Sequence, residues 1–277
     1  MCNAATKLIL SSLTALCLAS CGGDKTSDAA RQLYESASAT LERGNAAEAL
    51  AMLDTLDSRY PSATDVRRQA MHIRARAQER TIVDRLAQTD SLIAALTLEN
   101  ETLSGSLQRV PNAVEPYIIA SGSTLPATGI QARLSPDGVA YVVSSLTGHN
   151  VRHRSLTATA DGGSATTASV PNDGERSVWS QGRETVHFVG AECDSLLRFI
   201  AEATGPVTIT WNGASSFSRQ LTPKEQNGLA IIARYAKVST DLKVAAYEHE
   251  KLEKQLAVAR SQAARTYQEE KAEKSEK

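Results

Sequence analysis

The stretch "LAQTDSLIAALTLENETLSGSLQRV", Leu86 to Val110, decides how the rest of the chain is read. Leu86, Thr89, Ile93, Leu96, Asn100, Leu103, Leu107 and Val110 recur at alternating steps of three and four, which a helix turns into one narrow apolar stripe. Such a stripe needs a partner. A matching one runs through Ile231, Tyr235, Val238, Leu242, Ala245, His249, Leu252, Leu256, Ala259 and Ala263. "TPKE" opens it as a capping box, with Thr222 as N-cap, Pro223 in the first turn and Glu225 reaching back. The spacing predicts one helix over Thr64–Val110, closed by Pro111, and another over Pro223–Gln268. Each would be about 70 Å long at 1.5 Å per residue. Equal lengths on either side of an insertion predict an antiparallel, coiled-coil-like hairpin with the insertion at its tip. The alternative is self-association, each stripe pairing with a second copy. Asn100 and His249 interrupt the stripes with polar side chains, as register-setting residues do.

Working outward, the inserted segment 111–221 changes character. It is rich in Thr, Val, Ser and Gly and carries seven or eight short alternating runs, among them "GVAYVVSS", "VRHRSLTATA", "ETVHFVG" and "VTITW". "WNGA", Trp211 to Ala214, reads as a hairpin because Asn-Gly tolerates the positive φ of a type I′ turn. "CDSLLRFIAEATG" reads as one short helix. Strands with a single helix in about 110 residues imply an inserted β-sandwich or small barrel. "DGGSATTASVPNDGE", Asp161 to Glu175, is a polar loop or long hairpin and a candidate contact edge.

Ahead of the long helices, "AARQLYESASATLERGNAAEALAMLDTLDSRYPSATD", Ala29 to Asp65, reads as two helices around a "GN" turn. Gly44, Asn45, Glu48, Ala49, Leu50, Leu53 and Pro61 resemble the tetratricopeptide repeat, which implies a TPR-like helical hairpin. Leu33, Ser36 and Ala46 depart from that pattern, and no second "GN" turn follows. One repeat makes a poor peptide groove, so the repeat is expected to pack rather than to bind.

The first residues carry Lys7 and then the apolar "LILSSLTALCL", about half the length of a spanning helix. Leu18, Ala19, Ser20 and Cys21, "LASC", resemble the lipobox of bacterial lipoproteins. The resemblance implies cleavage before Cys21 and acylation of that residue, palmitate included, with several acyl chains giving a stable membrane anchor. Gly22 stands where an Asp would favour inner-membrane retention, which implies the outer membrane of a Gram-negative bacterium. The expected organisation is a signal peptide over 1–20, a tether over 21–28, the repeat-like hairpin over 29–62 and a long helix over 63–110. A β-rich domain over 111–221 and a second long helix over 222–277 complete an α+β chain.

Composition narrows the function. With 30 Lys plus Arg against 31 Asp plus Glu, the net charge is -1, and no basic interleaved patch appears, so nucleic acid is not an expected partner. Aromatics make up 4%, few for a large enzyme core. His149, His153 and His187, with Asp173 or Glu184, are the residues a metal-dependent hydrolase would need, and the basic "GHNVRHR" argues instead for a solvated strand edge. Cys193 opens a helix, a place that lowers a thiol pKa, yet no histidine pairs with it in sequence. Ser195, Asp161 and His187 make a triad only on paper. No catalytic, cofactor-binding or metal-ligating residue is assigned, and no cofactor is expected. The reading is a non-enzymatic, lipid-anchored envelope scaffold or binding module whose β-rich head meets an envelope protein or glycan. The rival is a carbohydrate- or peptide-capturing lipoprotein, with Trp179, Trp211 and Tyr141 as ligand contacts. The two differ in one feature: capture requires a concave site near Trp179 or Trp211.

Overall fold

The computed structural model describes residues 23–111 and 113–275. Among them are five α-helices and ten strands in two antiparallel sheets, an α+β chain. By contact density it divides into two units, residues 23–84 with 254–275, and residues 85–253. Among the described residues, no helix is long and apolar enough to cross a membrane.

In the first unit, α1 (Gly23–Glu42) and α2 (Ala46–Arg59) are joined at Gly44, which adopts φ +91°. A Cβ there would touch nothing, so backbone conformation alone favours glycine. Ala30 and Ala37 on α1 are fully buried against Leu53 and Leu56 on α2, and these small residues let the two backbones approach. Of the repeat-like residues, Ala49 and Leu53 are buried and Leu50 half-buried. Asn45 donates to Glu48 at 3.4 Å, and Pro61 follows the end of α2. The long helix α3 (Thr64–Ser104) adds Val66, Ala70 and Ile73 to this core. Arg67 pairs with Asp57 at 2.7 Å, and Arg74 with Asp54 at 2.5 Å and Asp57 at 2.7 Å, tying α3 to α2. Helix α1 starts at Gly23, so residues 23–28, expected as a tether, are helical.

In the second unit α3 stops at Ser104, short of the expected Val110. Gly105 and its flanking serines lower helix propensity, and residues 107–110 find ladder partners elsewhere. They form β1 (Leu107–Val110), paired with β2 (Tyr117–Ala120), Leu107 opposite Ala120. The remaining strands are β3 (Gly129–Leu134), β4 (Ala140–Thr147), β5 (Ser155–Ala160), β6 (Gly163–Thr166), β7 (Ser177–Ser180), β8 (Arg183–Val189), β9 (Thr208–Asn212) and β10 (Ser216–Gln220). One sheet runs β1-β2-β3-β4-β8-β7 and the other β10-β9-β5-β6. Both sheets are open, which corrects the small-barrel alternative: β1 and β7 end one, β10 and β6 the other.

Both sheets share one core. Val142, Leu146, Val186 and Phe188 enter it from the larger sheet, and Leu156, Ile209 and Trp211 from the smaller. Leu196 and Ile200 of α4 (Asp194–Glu202) close one side, with Leu229 and Ile232 of α5 (Pro223–Ser275). The start of α5 is capped reciprocally: Glu225 N–H donates to Thr222 Oγ1 at 3.3 Å, and Thr222 N–H donates to Glu225 Oε2 at 2.8 Å. Helix α5 continues past the expected Gln268 to Ser275.

Within the second unit, contacts between α3 and α5 run in opposite senses along the two helices. Asp90 lies 3.0 Å from His249, and Ser239 donates to Asn100 at 2.9 Å. Ten residues forward on α3 are ten residues back on α5. The two polar interruptions of the stripes thus each have a partner across the contact. In the first unit Glu79 pairs with Arg260 at 3.1 Å, and the rings of His72 and Tyr267 lie 5.9 Å apart.

Candidate functional site

The site is built where β4 passes into β5. The connecting residues 148–154 must turn sharply, and Arg152 takes the left-handed conformation at φ +53°, which a non-glycine residue rarely adopts. Glu184 on β8 holds it there. Its Oε1 accepts the Arg152 backbone N–H at 2.7 Å, and its Oε2 accepts the His153 backbone N–H at 2.9 Å and His153 Nδ1 at 2.8 Å.

This carboxylate begins a chain of polar contacts through the core. An ionised carboxylate only accepts, so Nδ1 of His153 carries the hydrogen and Nε2 is an acceptor. Ser144 Oγ, 3.0 Å away, then donates to Nε2. Trp211 Nε1 donates to the Ser144 oxygen at 2.7 Å. Ser144 and Glu184 belong to the larger sheet and Trp211 to the smaller, so the chain of bonds staples the two. Burial is the largest influence on both titrating groups. It pushes the His153 pKa down, keeping the ring neutral. It pushes Glu184 up, but the backbone hydrogen bonds from His153 and Arg152 and the imidazole outweigh it and hold the carboxyl below its ordinary range. Losing Ser144 would strand two buried polar atoms at about 1–3 kcal/mol each.

Serine, histidine and glutamate here have the order of a nucleophile, its base and an orienting acid. They do not form a working nucleophile. Ser144 and His153 are 0% exposed, and the serine oxygen is already engaged by the indole.

Alternation along residues 152–154 sends His153 inward and both flanking arginines outward. Arg152 lays its guanidinium over the Trp179 ring, 5.1 Å from the centroid. Arg154 Nε donates to the Val170 carbonyl at 3.3 Å. The tip of the β9–β10 hairpin forms the facing wall: Arg154 N–H donates to Asn212 O, and Ala214 N–H to Val151 O, both at 2.8 Å. A Cβ on Gly213 would run into the carbonyl oxygens of Val151 and Arg152, so glycine is needed for close approach. This corrects the type I′ expectation. Asn212 pairs with Ser216, leaving three residues in the loop, and Gly213 is not at positive φ. The result is an open groove of about 550 Å³ with Arg152, Arg154, Asn172, Trp179 and Asn212 along it. Asn172 comes from the polar loop 161–175, whose Val170 is fully buried and anchors it.

The three aromatic residues named from sequence separate. Trp179, 38% exposed, lines the groove. Trp211 is 0% exposed and serves the buried chain, so as a ligand contact it is corrected. Tyr141 packs beside His187, ring centroids 6.4 Å apart, and is not among the residues along the groove. Burial pushes the Tyr141 pKa up and the His187 pKa down, and Arg133 lowers both. His149 stacks on Phe217 at 4.0 Å. Asp173 Oδ1 accepts the backbone N–H groups of Glu175 and Arg176. Ser195 donates to Thr166 O and Asp161 accepts from Gly205 N–H, so the paper triad is dispersed among local partners. Among the described residues, no group of three His, Cys, Asp or Glu side chains is placed to hold a metal ion. Cys193 is fully buried, and burial, with Asp194 next, pushes its thiol up to about 12, opposite to the expected effect of a helix start. Leu18, Ala19, Ser20 and Cys21 lie outside the described residues.

Fold and site define a class: an α+β chain whose β-rich unit carries an open cationic groove beside one indole. Compared with family models, curated proteins and solved structures, the chain has no match.

Proposed function

We propose that this is a non-enzymatic, lipid-anchored cell-envelope protein whose β-rich head captures a ligand in the groove beside Trp179. In this reading Cys21 carries the acyl chains in the outer membrane. The tetratricopeptide-like hairpin and the paired, coiled-coil-like helices act as a scaffold, and the sandwich-like head is the binding module. The observation that carries it is the groove itself. A purely structural head has no use for two arginines and an indole gathered in one concavity, whereas capture requires such a place. The buried Ser144–His153–Glu184–Trp211 chain supports the same reading, because it makes the floor of the groove rigid. The "LASC" resemblance supports the anchor.

The test is a photo-reactive residue replacing Ser169, which lines the groove, in cells with intact envelopes. The expected result is a discrete adduct with an envelope glycan or protein that disappears with Trp179→Leu. The same adduct from a probe at exposed Thr147, or one indifferent to Trp179→Leu, overturns capture by the groove and returns the head to a structural role.

A further inference from the structure

We infer that the groove takes a carboxylated sugar, a uronate-type residue of an acidic glycan. The inference rests on the proposed capture role and names its ligand class.

The first argument is charge. Arg152 and Arg154 both point into the groove, and among the described residues neither forms an ion pair with a carboxylate. Three nearby acids are committed elsewhere. Glu184 is buried beneath and accepts three hydrogen bonds from residues 152 and 153. Asp173 is bound into its own turn, and Glu192 is held by Arg176 at 2.7 Å. No Asp or Glu lies along the groove. Two guanidiniums without an ion-pair partner, above a single buried carboxylate at Glu184, leave the concavity net positive and select an anion, and the planar fork of arginine matches a carboxylate or a phosphate.

The second argument is what surrounds the cations. Arg152 lies against Trp179, which orients its fork while leaving its N–H edges open. Asn172 supplies an amide and Ser169 a hydroxyl, donors and acceptors that ring hydroxyls need, while Asn212, whose Nδ2 donates to Thr157 Oγ1 at 3.0 Å, adds its side-chain carbonyl as an acceptor. The exposed part of the Trp179 indole offers an apolar surface against which a pyranose can pack. An acidic peptide would want apolar side-chain pockets as well as the open edge of β7 on which Trp179 sits, and beside that indole the groove offers only Gly213 and Ala214 as small apolar wall. A site built for a lone phosphate commonly adds a cradle of backbone N–H groups to its arginines. The Arg152 and Arg154 N–H groups are turned away to Glu184 and Asn212.

The test uses the full chain in detergent micelles with α-1,4-linked trigalacturonate as probe. Tryptophan fluorescence is the readout, since Trp211 is sealed in the core and Trp179 alone faces the ligand. Saturable binding is expected, with neutral maltotriose giving none at the same concentration. Arg152→Ala and Arg154→Ala should each weaken binding roughly tenfold or more, the loss of one charge-assisted contact. Arg154→Lys, which keeps the charge and loses the fork, should fall between. Titrations by calorimetry carry Trp179→Leu, for which the optical signal is gone, with a similar loss expected. Unchanged melting of these exposed-site variants separates recognition from folding.

Several outcomes overturn the inference: no saturation by trigalacturonate, or saturation that the groove variants leave unchanged. Displacement by equimolar inorganic phosphate marks a simple anion site and overturns it as well. Equal binding of maltotriose or of a triglutamate peptide overturns the acidic sugar but leaves groove capture standing. Groove capture itself falls only with the photo-crosslinking result.

Discussion

At the scale of single residues, the second unit rests on a decision made at His153. One side chain, turned inward between two outward arginines, links two sheets through Ser144, Glu184 and Trp211. Acid should undo it from both ends. His153 is held neutral below the ordinary 6.5, so as pH falls past that value the unfolded chain binds the proton first and stability declines. Glu184 sits below the ordinary 4.5, so the stability it contributes above that value is lost as pH falls through its folded pKa. The two effects have one sign. The melting temperature should drop steadily from pH 7 to pH 4, by at most about 1.4 kcal/mol of stability per pH unit for each such proton. His153→Asn should be less stable at pH 7 yet flatter from pH 7 to 5, with a remainder from His187, whose pKa is lowered too. A slope as steep as that of the parent chain would show that His153 is not the acid-sensitive group. This chain was half legible. Reading "GHNVRHR" as a solvated edge accounts for Arg152 and Arg154 but not for the histidine between them. The period of two was present in the sequence. What it lacked was the partner, since Ser144 in "AYVVSSLT" is a hydroxyl inside a buried strand and nothing local says which group it meets.

At the scale of elements, the three-four spacing proved a good guide to shielding and a poor one to helix length. In the second unit every stripe position from Leu86 to Leu103 is at least half-buried, and so is every one on α5 from Ile231 to Leu252. The stripe also includes Leu107 and Val110, which sit in β1. A spacing of three cannot tell a last helical turn from an edge strand, and the deciding signal is the Gly105 break. The β9–β10 turn failed for a related reason: Asn-Gly was read for its φ, while the glycine is required by the neighbouring loop. The helix contact can be checked directly. Asn100 and Ser239 share a hydrogen bond within one chain. Asn100→Cys with Ser239→Cys, treated with a short thiol-to-thiol crosslinker, should therefore give a species that still migrates as one chain. Crosslinked dimers as the main product would mean that the stripes pair between copies.

At the scale of the whole molecule, the proposed anchor and the proposed binding groove occupy different parts of the chain. The proposed acyl site, Cys21, belongs to the N-terminal segment, while every residue along the groove falls between Arg152 and Ala214, inside the unit 85–253. Among the described residues, nothing in the groove's construction draws on the first unit: its walls, its floor and its cations come from β4, β5, β7, β8, β9 and the loops beside them. If that division holds, the two properties should come apart cleanly. Cys21→Ala should abolish incorporation of a palmitate analogue and release the chain from membranes in a flotation gradient. The same protein should bind trigalacturonate within about twofold of the lipidated chain, a difference below about 0.4 kcal/mol. Retained flotation in the variant would refute the acyl anchor and leave the groove untouched. Loss of ligand binding along with the lipid would refute the division itself, because recognition would then depend on the membrane and not on the residues that line the groove.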